Sequence, residues 1–210
     1  MDPWPFRHLV LRTPRLELRP DDDEGLLELA EQARRGVHPP DEMPFAYEWT
    51  DAAPEDVGRN MLQFYWGVRA RLAPANWELN FLVRLDGRVV GTQSLQAVDF
   101  GVLREVSSGS WIGMEHQGRG IGTEMRAAVL MFAFDHLDAV QARSAAATGN
   151  PKSRSVSEKL GYVEDGTSLT VRRGRSTEDV RFLVTRDRLA RPGWKVDVTG
   201  LTACLDLLTG

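Results

Sequence analysis

The run Ser110-Trp111-Ile112-Gly113-Met114-Glu115-His116-Gln117-Gly118-Arg119-Gly120-Ile121-Gly122-Thr123-Glu124-Met125 constrains this chain more than any other part of it. A strand-like segment ends, three glycines follow at alternate positions, and an amphipathic helix begins. Glycine lets a backbone turn sharply and approach an anion with no Cβ in the way, while the free N–H groups of a helix start point at the same place. The segment reads as an anion cradle, with an ordinary turn and helix cap as the plainer alternative. Two other glycine-rich folds do not fit. A dinucleotide-binding turn carries Gly-x-Gly-x-x-Gly early in the chain, a spacing absent here. No Gly-Lys-Ser or Gly-Lys-Thr is present to hold a triphosphate and magnesium.

The surrounding pattern predicts a mixed sheet with helices on its faces. Residues 9–19 alternate imperfectly around Pro14, as a bent or edge strand. Asp21, Asp22 and Asp23 suit the start of a helix that Gly36 stops. Residues 37–53 hold prolines and aromatics at irregular spacing and read as a loop lining a site; a helix follows from Pro54. Segments 77–85 and 88–98 flank Asp86-Gly87, a tight hairpin turn. A strand over 105–114, a helix over 120–137, a strand over 140–146, a helix over 151–160 and strands over 162–172 and 179–185 complete the series. The tail from 194 reads as a short strand and a short apolar helix.

With 210 residues, 42% of them hydrophobic and 27% charged, the chain can bury one full core. The net charge of -4 supplies no basic field, so no nucleic acid is expected as partner. No segment is long and apolar enough for a bilayer, and Met1-Asp2-Pro3-Trp4 lacks the pattern of a secretory signal, so a cytoplasmic protein without a membrane partner is expected. The single cysteine, Cys204, reads as structural.

A second motif gives the glycine turn its meaning. Asn150-Pro151-Lys152-Ser153-Arg154-Ser155-Val156-Ser157-Glu158-Lys159-Leu160-Gly161-Tyr162 has proline at a helix start and glycine at its end. With Gln117-x-x-Gly120-x-Gly122 some thirty residues upstream, it resembles the GCN5-related N-acetyltransferase (GNAT) family. The branch it is similar to is that of the ribosomal-protein N-terminal acetyltransferases, which the opening Thr13-Pro14-Arg15-Leu16-x-Leu18-Arg19 also resembles. The likeness extends over about residues 9–186.

The resemblance implies an α/β (α+β) fold: a mostly antiparallel sheet of six to seven strands, flanked by helices and splayed at two central parallel strands. Residues 1–186 would form the domain and 187–210 an extension packed on it or on a second copy in a homodimer. It implies acetyl-CoA as co-substrate, with no metal. Ile112, Met114 and the loop Gln117, Gly118, Arg119, Gly120, Ile121, Gly122 and Thr123 would hold coenzyme A, with its pantetheine in the splay and Asn150 and Ser153 at the pantetheine or phosphate end. The acceptor would be a primary amine of a peptide or small molecule. Succinyl-CoA or another short acyl-CoA is an alternative donor, and a noncatalytic acyl-CoA sensor is the alternative of a different class.

An amine must lose its proton before it attacks a thioester, so a base or a water chain to one is expected. Glu105 is the leading base and Asp99 the second. Backbone N–H groups near Ser110 or Ile112 are expected to serve the oxyanion. Many members of the family have a tyrosine four residues before the glycine matching Gly161; this chain has Ser157, a poor acid, so Ser110, Ser157 or water is left to assist. His38, Met43, Phe45 and Trp49 are expected in an acceptor pocket, His116 as a neighbour of the cradle, and Arg69 and Arg71 on a solvated helix face.

Overall fold

The computed structural model describes residues 2–210. Its strands are β1 (Val10–Arg12), β2 (Leu16–Pro20), β3 (Asn76–Leu85), β4 (Arg88–Val98), β5 (Glu105–Ile112), β6 (Gln141–Ala147), β7 (Val163–Arg172), β8 (Arg175–Thr185) and β9 (Asp197–Thr199). Its helices are α1 (Asp23–Arg35), α2 (Pro54–Ala70), α3 (Phe100–Leu103), α4 (Ile121–His136), α5 (Pro151–Lys159) and α6 (Leu205–Thr209).

Among the described residues nine strands lie in one sheet, in the order β7-β8-β6-β5-β4-β3-β2-β1-β9. This exceeds the six or seven expected, for two local reasons. Thr13-Pro14-Arg15 breaks the first extended segment into β1 and β2, and the tail adds β9 beside β1. Every pair is antiparallel except β5 and β6. Asp86 and Gly87 take φ of +50° and +79°, the left-handed pair that a two-residue hairpin needs.

Alternation along β3 and β4 sends side chains to two cores. Phe81, Val83 and Val90 face α4, while Leu82 and Val89 face Leu26, Leu29, Met61 and Tyr65 of α1 and α2. Helix α4 is buried almost all round, which explains the apolar run from Ala127 to Phe134. The tail packs on the same core as α4. Cys204 and Leu208 are buried, and the Trp77 indole donates to the Leu208 carbonyl at 2.9 Å. Burial pushes the Cys204 thiol up to about 11, which keeps it unreactive. No helix among the described residues is long and apolar enough to cross a membrane.

Where α1 and α2 meet β3, Asp21 is buried and its carboxylate lies 3.0 Å from Arg69 Nε. Arg69, which also pairs with Asp23, is thus half-buried in an ionic cluster rather than part of a solvated face. Burial pushes the Asp21 carboxyl up to about 7, with Arg69 pulling the other way. The folded protein therefore holds the Asp21 proton more tightly than the unfolded chain does. Its contribution is complete at pH values below the ordinary carboxylate range and is lost as pH rises through about 7. Asp21→Asn is expected to raise stability by roughly 1–3 kcal/mol at pH 8, a gain that shrinks steadily toward pH 5. Urea unfolding across that range checks it; a loss at pH 8 would mean that the Arg69 pair outweighs desolvation.

Candidate active site

Strands β5 and β6 pair only through Glu105 with Gln141, Val106 with Ala142 and Ser107 with Arg143. Beyond these three pairs the strands part, and a cavity of about 740 Å³ opens between Ser108–Ile112 and residues 144–147. Its floor and far wall carry Gly118, Gly120, Ile121, Gly122, Thr123, Met125 and Arg126. Asn150, Lys152, Ser153 and Val156 from the start of α5 close another side.

The direction of the β5 backbone groups follows from its pairing with β4. Gly113 N donates to the Val90 carbonyl at 3.0 Å, and the register pairs Thr92 with Trp111 and Gly91 with Ile112. In an antiparallel ladder alternate residues turn their polar groups to opposite sides. The N–H groups of Ser110 and Ile112 therefore point away from β4, into the gap.

The cradle is built by long-range bonds as much as by its glycines. Gly118 and Gly120 take φ of +74° and +78°, which only glycine adopts at little cost, and no atom lies within 4 Å of a Cβ placed at Gly118. The Gln117 amide donates to the Val37 carbonyl at 2.8 Å and the Ile112 carbonyl at 2.9 Å, and Lys152 Nζ donates to Gln117 Oε1 at 3.0 Å. From the other end of the chain, Thr13 Oγ1 and Arg15 Nε donate to the two Glu124 carboxylate oxygens at 2.6 and 2.7 Å. Arg15 Nη1 also donates to the Arg119 carbonyl at 3.1 Å. The Thr-Pro-Arg-Leu opening is thus a clamp on the first turn of α4.

Other expected residues fall in varied places. Ser153 lines the cavity, but its N–H is taken by the Asn150 side chain, which caps α5 at 3.1 Å. Arg119 and Met114 lie outside the cavity wall, and the Met114 N–H donates to the Gly36 carbonyl at 3.0 Å. That bond removes Met114 N–H from the set able to hold a ligand. Glu105 is also misplaced as a base: at the paired end of β5 its carboxylate is occupied by Arg143 Nε at 2.8 Å and by the Gln141 amide, outside the cavity. Asp99 sits in the turn before α3, equally outside it.

Of the four residues expected at the acceptor, His38 and Phe45 line the cavity, with ring centroids 5.6 Å apart. Both His38 nitrogens are engaged, Nδ1 with the Pro39 carbonyl at 2.8 Å and Nε2 with Thr50 Oγ1 at 2.7 Å, which removes the ring as a free base. Met43 lines a smaller adjoining groove. Trp49 lies behind the wall, its ring 5.3 Å from Trp111. The loop over 37–53 is held by the β7–β8 hairpin: Arg172 Nε donates to the Phe45 carbonyl at 2.7 Å, and Arg173 pairs with Asp51 at 2.7 Å. The Arg173 pair holds the Asp51 carboxyl below its ordinary value. The carboxylates on the cavity wall are Asp179, paired with Arg172 at 2.7 Å, and Glu42, which has no ion-pair partner among the described residues.

Ser110 and Ser157 come together through a residue that the sequence pattern alone does not single out. Arg126 donates from Nη1 to Ser157 Oγ at 3.1 Å and from Nη2 to Ser110 Oγ at 3.3 Å. The available signal is a lone cation followed by eight apolar residues of α4, a pattern that places a charge in a core.

A sheet parted at its single parallel pair, with a glycine cradle opening a helix at the mouth of the gap, is the architecture of an acyl-CoA-using acetyltransferase. The chain belongs to the GNAT acetyltransferase family: the model of the acetyltransferase (GNAT) domain matches residues 9–163. A relative named ribosomal N-acetyltransferase YdaF, from Bacillus subtilis (strain 168), is 38% identical over 81 residues, which is 39% of this chain and 44% of that protein's length. The chain thus spans less than half of that relative. Among solved structures, Mycobacterium smegmatis RimJ in complex with CoA-disulfide superposes with a TM-score of 0.70 at 20% identity, over 95% of this chain and 96% of the other. Spermidine N-acetyltransferase from Vibrio cholerae, in complex with CoA and spermine, gives 0.65 at 20% identity, over 84% and 98%. These two likenesses establish the fold.

Proposed function

We propose that this chain transfers an acyl group from a coenzyme A thioester to a primary amine by direct attack within a ternary complex. The observation that carries this reading is that one cavity is walled both by the glycine cradle and by the edges of the parted strands. The residues present fit coenzyme A. Free N–H groups at the start of α4 suit its pyrophosphate, and the inward N–H groups of Ser110 and Ile112 suit an extended amide-bearing arm. The thioester supplies the activated acyl carbon: a C–N bond forms, the C–S bond breaks, and the thiol is released with an amide.

The chain's own part is to hold and to orient. The Ser110 or Ile112 N–H serves the oxyanion, and Glu42 replaces Glu105 as the group that accepts the amine proton, directly or through water. His38 and Phe45 face the acceptor, whose amine belongs to a protein N-terminus, a lysine or a small molecule. Residues 187–210 form an extension that packs on the domain, so no second copy is needed to cover the tail.

Titration calorimetry with coenzyme A, acetyl-CoA and succinyl-CoA, followed by thiol release over a panel of peptides and small amines, tests the reading. Micromolar binding and steady release dependent on one amine class are expected. Absence of binding by all three thiol compounds would end it.

A further inference from the structure

Arg126 differs from the other arginines around the site. It projects from the second turn of α4, is 4% exposed, and lines the cavity. A guanidinium offers five N–H donors. Two of them meet Ser157 and Ser110 hydroxyls, both neutral, and Nε has no partner among the described residues. Arg172 has Asp179 and Arg15 has Glu124, but no described carboxylate lies within 4.0 Å of Arg126. Burial works against its charge, with the Tyr162 phenol pulling the other way.

Stripping a cation of water is costly, and proteins meet that cost with a partner anion. Here the missing partner faces the cavity. The phosphates are not that partner. They belong at the cradle, and Arg126 lies four to six residues further along α4, about 6–9 Å deeper at the helical rise. The acceptor is not the natural source either, because the guanidinium is fixed by Ser110 of β5 and Ser157 of α5. Ser110 turns to the α4 face of β5, whereas Trp111, on the opposite face, is the residue that meets Trp49 of the 37–53 loop. A buried hydroxyl, Ser108 Oγ, lines the same cavity and also lacks a partner among the described residues.

We infer that Arg126 is the counter-charge for a carboxylate on the donor's acyl group, so that this chain takes a dicarboxylic acyl thioester such as succinyl-CoA in preference to acetyl-CoA. The inference rests on the coenzyme A reading above. A neutral acetyl group would leave the guanidinium desolvated and unpaired in the bound state. A carboxylate matches the guanidinium in charge and planar geometry. The product is then an amide carrying a free carboxylate.

Calorimetry on the wild-type chain decides it without any variant. Succinyl-CoA is expected to bind at least about tenfold more tightly than acetyl-CoA, a difference of about 1.4 kcal/mol. In Arg126→Met the ratio should fall to about one while free coenzyme A still binds, and Arg126→Lys should restore part of it. Equal affinities in the wild-type chain, or a preference that survives in Arg126→Met, would overturn the inference while leaving the acyltransferase reading intact. Failure of coenzyme A itself to bind would overturn both.

Discussion

Arg172→Ala is expected to destabilise the protein by about 3–5 kcal/mol, the cost of breaking a buried ion pair from one side. The Arg172 and Asp179 side chains are 6% and 9% exposed and lie 2.7 Å apart. Removing the cation leaves Asp179 charged, buried and without its ion-pair partner. The same guanidinium holds the Phe45 carbonyl and Thr177 Oγ1, so the loop over 37–53 loses its tie to the sheet in the same step. Two measurements separate these parts. Urea unfolding reads the first, and a rise in KM for the amine with little change in donor affinity reads the second. A double change to Met and Leu, which removes both charges, should recover much of the stability without restoring KM. A single substitution costing less than about 1 kcal/mol would show that Asp179 finds water or another donor.

Gly122→Glu should do the opposite, abolishing donor binding while sparing the fold. A Cβ at Gly122 would sit 3.6 Å from Ile112 Cδ1 and 3.7 Å from Val156 Cγ2, ordinary contact distances. A carboxylate in the first turn of α4 also suits the helix dipole. Yet it sets a negative charge among the N–H groups proposed for the pyrophosphate. Coenzyme A affinity is expected to fall at least a hundredfold, about 2.7 kcal/mol, with the melting temperature within a few degrees of wild type. Retained affinity would move the phosphate site away from the cradle.

Local signals carried most of the fold into the sequence. Asp86-Gly87 announced its hairpin, Asp22 and Gly36 the ends of α1, and the glycine run the start of α4. The strands beyond the expected count are weak ones of three residues each: β1 is split from β2 by Thr13-Pro14-Arg15, and the short strand read in the tail becomes part of the sheet as β9 only by pairing with β1. The cavity itself was legible because the parting of β5 and β6 follows from the family pattern. Its polar content was not. Whether Glu105 faces a site or Arg143, and whether Arg126 has a carboxylate beside it, depends on side chains from strands and helices distant in the chain. No local spacing encodes such meetings, although a lone arginine in an apolar helix marks where to look.

The clamp from Thr13 and Arg15 onto Glu124 bridges 111 and 109 residues of chain. The turn from Gln117 to Gly122 therefore borrows its rigidity from the turn between β1 and β2, made at the other end of the chain. Grafted alone onto another strand and helix, those six residues would keep their freedom to bend but lose what fixes the bend. The motif is not a portable part: a designer who wanted the site would have to transplant β2 and its preceding turn along with it.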